Sequence, residues 1–346
     1  MVYERRWETV KQRLKKGGYD AFIATKPGNV RYLCCTHLLD PVLWVIVIPS
    51  KGEPLGITST LEATRAGEES AVGDLRVFGD CPGVPTYGKK GVGVLKKVLR
   101  EARIERVLFD SPIGIGGRKD DAITRMRMCK GPDEIEKMRK AAAIAVRGSQ
   151  WLRDGLEGKT EAEVAAELDY HLRRAGAQAL SFRTIVASGE HAAYPHHDPT
   201  SRVIGQGDTV ICDFGAYWDG YCSDITRTFI MGEPDARLLE AYDLVAEAQR
   251  EAIAAIRTGE VFGTLDNKAR RMFKQHGQGQ HFPHGLGHGL GLDIHEEPAI
   301  GHGATKRMGE GMVFTIEPGL YLPGLGGVRI EDDVYLGKQG AEVLTG

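Results

Sequence analysis

The sequence predicts two domains of different class, a small α/β domain at the amino terminus and a larger α+β domain built on long antiparallel strands. Three observations carry this. In the first ~125 residues short apolar runs alternate with amphipathic helical ones, the pattern of a strand-helix sandwich. A Gly131-Pro132 break is followed at once by helix-start signals, which marks a boundary. From Phe182 onward strand-prone runs and glycine loops dominate, interrupted by a single helix pair.

Taken in order, Arg5 to Lys16 reads as an amphipathic helix, Ala21 to Thr25 as a short strand and Val42 to Ile48 as a buried strand. A basic helix over Lys89 to Arg103 precedes another strand at Val107 to Phe109. This first domain, residues 1–126, gathers no cluster of catalytic residue types. The second domain, residues 132–346, opens with Pro132 just inside a helix whose first turn carries Asp133 and Glu134. Its second helix, Thr160 to Gly176, begins with Thr160 and Glu163 at capping-box spacing. After the strands beginning near Phe182 come helices at Ala236 to Ile256 and Leu265 to His276. No internal repeat or low-complexity tract interrupts the pattern.

Composition narrows the function classes. The chain has 346 residues, 42% apolar and 27% charged, and at roughly 150 residues per domain that suits two domains. A chain of this length buries on the order of 75% of its unfolded surface, so it needs no metal merely to fold. Any metal serves chemistry. Lysine and arginine number 45 against 47 acids, net −2, with no basic block, which argues against a nucleic-acid partner. The longest wholly apolar stretch, Val42 to Ile48, is far short of the ~20 residues that cross a bilayer, and the first residues lack a signal-peptide core. The expectation is a soluble, cytoplasmic protein without a membrane partner. Six cysteines form no CxxC pair, which fits reduced, mostly buried thiols. Glycine, 45 of 346 residues, is nearly twice its usual share of about 7% and is concentrated between Gly277 and Gly327.

Chemistry-bearing residues gather in three segments of the second domain. In DFGAYWDGYCSDITRTF, Asp213 and Asp224 lie on two β-prone runs around a turn. A two-residue loop at Trp218-Asp219 would place the carboxylates directly opposite each other, whereas a turn at Asp219-Gly220 would make them diagonal unless a bulge restores the pair. Like charges this close destabilise a sheet unless a cation lies between them, so the pair reads as a metal site. In FPHGLGHGLGLDIHEEP, His284 and His288 have the i, i+4 spacing of a helical metal motif, but Gly285, Gly287, Gly289 and Gly291 at about 1 kcal/mol each argue against a helix. On an extended chain both histidines share one face, and the glycines on the other let backbone or ligand approach. His295 begins an acidic run just beyond. In the third segment, Val313, Thr315 and Glu317 lie opposite Phe314 and Ile316, Arg329 and Glu331 of the next strand lie opposite Val328 and Ile330, and a hairpin centred on Gly324 pairs position 317 with 331 so that the two carboxylates face each other. Four carboxylates and an imidazole make a hard, oxygen-rich donor set whose charge two divalent cations would balance, suited to Mn, Co, Fe or Zn. Two such ions activate water and polarise a carbonyl. Asp219 reads as a turn residue and Cys222 as a small buried thiol; Tyr321 reads equally as structural or as packing against a substrate ring.

These segments closely resemble the signature of the pita-bread metallopeptidases, and DFGAYWDGYCSDITRT, GHGLGLDIHEEP, EPGLY and GVRIED resemble its proline-specific branch, the Xaa-Pro aminopeptidases and prolidases. The resemblance runs from about Pro132 to the end; GYDAFIATKPGNVRYL extends it more loosely into the first domain. It implies a pita-bread catalytic domain after a creatinase-type amino-terminal domain. Two divalent ions, manganese first among them with cobalt or zinc as alternatives, are implied: Asp213 chelating one, His288 and Glu317 the other, Asp224 and Glu331 bridging both. His196, His284 and His295 are implied to line the substrate site, Glu317 to relay a proton and Arg329 to support Glu331. The implied substrate is a peptide with proline at the second position, and the implied assembly a homodimer.

The leading expectation is an Xaa-Pro aminopeptidase, the alternative an Xaa-Pro dipeptidase. Some close prolidase relatives have arginine just after the HExP run, where this chain has Ala299, and that difference favours longer peptides over dipeptides. Methionine aminopeptidases lack the extra first domain and the RIED ending, creatine-type amidinohydrolases lack the metal, and a non-catalytic binding module would have lost ligands that are intact here.

Overall fold

The computed structural model describes residues 2–153 and 155–346. Contacts divide the chain into two compact units, Met1–Arg127 and Met128–Gly346.

In the first unit a six-stranded mixed sheet runs Asp74–Phe78, Leu55–Ser59, Val45–Pro49, Ala21–Ala24, Val107–Phe109, Arg118–Lys119. Helices Val2–Gly17, Pro27–Cys34, Ala63–Glu69 and Gly91–Glu101 accompany it. Val45 and Val47 pack with Leu95 and Val98 of the last helix in one core. The strand expected from Val42 starts only at Val45, because the Val42 carbonyl turns to accept the Thr58 hydroxyl. Strands Leu55–Ser59 and Asp74–Phe78 were not expected from the sequence. The first carries Gly56, and the second is a half-exposed edge opening on an aspartate, so neither shows a continuous apolar run.

The second unit pairs helices with antiparallel sheets twice. Helices Pro132–Leu152 and Glu161–Arg174 cover a sheet ordered Ile225–Ile230, Thr209–Phe214, Ile185–Ser188, sharing a core of Ile144, Leu168, Leu172, Val210 and Phe214. Helices Ala236–Ala254 and Phe262–Gln275 cover a five-stranded sheet, Glu296–Ile300, Gly287–Gly289, Val313–Ile316, Asp332–Gly337, Gly340–Val343, around Val245, Phe262, Phe273 and Phe314. The helix starts follow their sequence signals. Glu134 caps the Gly131 amide, and Thr160 and Glu163 form the reciprocal capping box. The strands are antiparallel as expected but short, two to six residues each, because they break at Gly215 and Pro318.

Those breaks are where the two sheets meet. Thr226 pairs with Glu331 as an isolated antiparallel bridge, and the Thr228 hydroxyl donates to the Arg329 carbonyl. The hairpin Gly319–Leu322 with Gly326–Arg329 has the register that a turn centred on Gly324 gives, with Gly319 opposite Arg329.

Candidate metal centre

Of the two turns that the sequence left open for the first hairpin, the chain uses Asp219-Gly220. Both residues have positive φ, 45° and 95°, and Trp218 pairs with Tyr221. The same register carries on to place Asp213 opposite Thr226, so Asp224 sits diagonally from Asp213 on the same face. Where the strands part, a Cβ on Gly215 would come within 2.0 Å of the Ser223 carbonyl, so only glycine permits the approach.

His288 stands at the centre of Gly287–Gly289, extended rather than helical as the glycines require. A Cβ on Gly287 would meet the Thr315 carbonyl at 2.1 Å, which is the close backbone contact that this run makes possible. The His288 Nδ1 lies 3.0 Å from the Gly289 carbonyl and donates to it, leaving the Nε2 lone pair facing Glu317 Oε1 at 3.4 Å and Asp224 Oδ2 at 3.6 Å. Burial holds this ring neutral by lowering its pKa. Ligand atoms of Asp224, His288 and Glu331 all lie within 4.8 Å of one another.

Glu317 follows the strand Val313–Ile316 and accepts from the Thr315 hydroxyl at 3.1 Å. Glu331 lies between Gly326–Arg329 and Asp332–Gly337 and accepts from the Thr226 hydroxyl at 2.6 Å. Asp224 is held by its backbone, its N–H donating to Asp333 Oδ2 at 3.0 Å. Asp213 Oδ1 and Asp224 Oδ1 are buried and have no hydrogen-bond partner among the described residues.

The electrostatics agree with this donor deficit. Burial first, then the charges of Glu331 and Asp213, push Asp224 well above the carboxylate range. Burial and the charges of Glu317 and Asp213 do the same to Glu331. Glu317 rises to about 7 through burial, against the opposing pull of Arg329 and with the push of Asp213. Buried carboxylates short of donors and pushed toward protonation by one another fit a divalent cation, which would supply the missing positive charge.

Arg329 acts on Glu331 through its charge, which draws the glutamate's pKa down against burial. Its guanidinium does not touch Glu331. Nη2 donates to Asp213 Oδ2 at 2.5 Å, Nη1 to the Tyr321 hydroxyl and the Pro195 carbonyl, and Nε to the Thr226 hydroxyl, so its hydrogen-bond link to Glu331 runs through Thr226. Tyr321 is the structural partner in this chain: its hydroxyl lies 2.9 Å from His284 Nε2, whose other ring nitrogen meets the Gly285 carbonyl. Burial lowers His284 to about 4, so the ring is neutral and the tyrosine donates to it. Both His284 nitrogens are therefore committed. His196 and His295, exposed at the mouth, line the same cavity, and His295 packs edge-on against His288 at 4.5 Å.

The cavity that gathers these groups has a volume of about 500 Å³. It is lined by Asp213, Asp224, His284, His288, Glu317, Arg329 and Glu331, by His196 and His295, and by an apolar wall of Phe182, Ile185, Pro195 and Ile294. Cys222 is buried and outside the lining; Ala299 is exposed, is also outside the lining, and pairs across the strand with His288.

A second carboxylate-histidine trio, Glu161, His191 and His197, escaped sequence reasoning. Fully buried Glu161 accepts from the Ser188 N–H and hydroxyl, the Thr200 N–H and hydroxyl, His191 Nδ1 and His197 Nε2. Burial pushes its pKa up, but the bonds from Thr200, His197 and Ser188 win and hold it at about 2. It ties down the segment that carries His196. Its one sequence signal, an acid beside an N-cap, is indistinguishable from ordinary first-turn charge.

Paired helix-on-sheet halves with a carboxylate-histidine centre at their meeting line define the pita-bread class, here preceded in the sequence by a creatinase-type amino-terminal domain. The chain belongs to metallopeptidase family M24: that family's model matches residues 136–338, and the creatinase/prolidase amino-terminal domain model matches residues 6–117. It is 36% identical over 349 residues to an Xaa-Pro dipeptidase of Pyrococcus furiosus, covering 99% of this chain and 98% of that one. Among solved structures, a prolidase from Pyrococcus horikoshii superposes with a TM-score of 0.88 at 33% identity, over 99% and 98% of the two chains. An X-Pro aminopeptidase from Thermotoga maritima gives 0.81, also at 33%, over 96% and 97%. No helix among the described residues is long and apolar enough to cross a membrane.

Proposed function

We propose that this protein is a metal-dependent Xaa-Pro dipeptidase that hydrolyses the bond between an amino-terminal residue and a carboxy-terminal proline. The observation that carries this is end-to-end similarity to an Xaa-Pro dipeptidase at 36% identity, combined with a cavity of about 500 Å³ around the carboxylate-histidine centre. This reverses the order of the two proline-specific activities expected from Ala299, a residue that lies outside the cavity lining. An Xaa-Pro aminopeptidase remains the second reading, favoured by the likeness to the Thermotoga maritima structure.

In this proposal Asp213, Asp224, His288, Glu317 and Glu331 hold two divalent ions, with manganese the expected metal for so oxygen-rich a set. When bound, the ions activate water and polarise the scissile carbonyl. The protein's own side chains do the rest. Phe182, Ile185, Pro195 and Ile294 offer the apolar wall for a proline ring, whose amide has no N–H to anchor it in an ordinary strand-like mode. His295 and His196 donate to the oxyanion as the carbonyl becomes tetrahedral, and Glu317 relays the proton to the leaving prolyl nitrogen. Arg329, Tyr321 and His284 keep Asp213 and the cavity floor in place through their hydrogen-bond chain. The enzyme is expected to act in the cytoplasm as a homodimer. Comparing kcat/KM for Ala-Pro, Ala-Pro-Ala and Ala-Ala with manganese-loaded protein tests the reading: Ala-Pro is expected to be best by at least tenfold and Ala-Ala uncleaved. A preference for Ala-Pro-Ala would install the aminopeptidase reading instead.

A further inference from the structure

The cavity lining carries two guanidinium groups, and they differ in what they are free to do. Arg329 is buried with four N–H groups engaged by Asp213, Tyr321, Pro195 and Thr226. Arg183 is not. Its side chain is 86% exposed at the cavity mouth, and its ion-pair partner is Asp198, 77% exposed, at 3.2 Å. Arg183 directly follows Phe182 and stands two residues before Ile185, both of the apolar wall.

A dipeptide ending in proline presents a free α-carboxylate immediately beyond the ring. Wherever the ring lies against Phe182 and Ile185, that carboxylate needs a counter-charge, and the lining offers two guanidinium groups for it, Arg183 and Arg329. Arg183 is the one cationic side chain in the lining, among the described residues, that is not consumed by the site's own architecture. Solvent-exposed ion pairs such as Arg183–Asp198 hold weakly, so exchanging Asp198 for a substrate carboxylate costs little, and a planar guanidinium fork suits a carboxylate's two oxygens.

We propose that Arg183 is a specificity-determining residue that binds the proline carboxylate of an Xaa-Pro dipeptide, with Asp198 holding it at the mouth when substrate is absent. The inference rests on the dipeptidase reading and explains how dipeptides are selected although position 299 is alanine. Longer peptides place an amide where the carboxylate would be and gain nothing from Arg183.

The test is the ratio of kcat/KM for Ala-Pro to that for Ala-Pro amide, which differ in the terminal charge. Arg183→Gln is expected to lower this ratio at least tenfold, chiefly through KM for Ala-Pro; Arg183→Glu should lower it further, Arg183→Lys should restore part of it, and Asp198→Asn should raise it. Because both residues are exposed, folding of the variants is not at stake, and unchanged circular dichroism will show it. A ratio unmoved by Arg183→Gln in an enzyme that cleaves Ala-Pro overturns the assignment alone. No cleavage of either substrate by the wild type overturns the dipeptidase reading and this inference with it.

Discussion

Glu161 and Glu331 are both buried glutamates, and each belongs to a carboxylate-histidine trio whose ligand atoms lie within 4.8 Å of one another. Distance alone would make both of them metal sites. Their surroundings differ in the supply of donors. Six N–H and O–H groups converge on Glu161 and hold it ionised, with its pKa at about 2. Around Glu331 one hydroxyl serves the carboxylate, neighbouring Asp213 and Asp224 keep orphaned oxygens, and the acids push each other toward protonation. A buried carboxylate already satisfied by the chain is an anchor; one left in deficit is where a cation belongs.

The sharpest way to break this contrast is to remove a ligand. Asp224→Asn and His288→Ala should each lower kcat/KM by roughly a thousandfold, about 4 kcal/mol, while the fold survives. Stopped activity assays alongside circular dichroism check it, and full activity in both variants would dissolve the site. Next in size is the anchor. Glu161→Ala strands buried donors and should cost about 3–5 kcal/mol in chemical denaturation, with metal content per folded chain unchanged. Smaller again, His295→Ala should retain its metal yet lose on the order of a hundredfold in kcat, the scale of a single oxyanion donor. Equal loss of metal and activity in that variant would make His295 a ligand instead.

The pH dependence sharpens the comparison because the two clusters act with opposite sign. Glu161 is depressed in the folded state, so its contribution is present above the unfolded carboxylate value near 4.5 and is lost as pH falls toward about 2. Glu317 is raised to about 7, so in metal-free protein its contribution is present below about 4.5 and is lost as pH rises through about 7. Asp224 and Glu331 shift in the same direction as Glu317. Chelated protein should therefore melt at a lower temperature at pH 8 than at pH 5, and manganese should remove that difference. Melting temperatures of chelated protein that climb between pH 5 and pH 8 would contradict the donor deficit.

Much of the centre was legible in the sequence because short-range geometry specifies it. The turn about Gly324 fixes the second hairpin, and the glycines around His288 rule out a helix and announce close backbone contact. The first hairpin stayed open because Trp218-Asp219 and Asp219-Gly220 are both acceptable turns, and only the two positive φ angles decide. What could not be read depends on distant partners. Glu161 meets Thr200 and His197 across 36 to 39 residues, Thr226 links Arg329 to Glu331 across about a hundred, and Arg329 turns to Asp213 rather than to its neighbour in sequence. In the first unit the edge strand Asp74–Phe78 was hidden because half-exposed edges carry no apolar signature.

The central claim, that donor deficit and not proximity makes the metal site, is tested most directly by metal stoichiometry. Purified wild type, Asp224→Asn and Glu161→Gln would be equilibrated with manganese, desalted and analysed by inductively coupled plasma mass spectrometry against folded protein. Two ions per chain are expected in the wild type and in Glu161→Gln, and fewer than one in Asp224→Asn. An ion that disappears with Glu161→Gln, or two ions retained in Asp224→Asn, would contradict it.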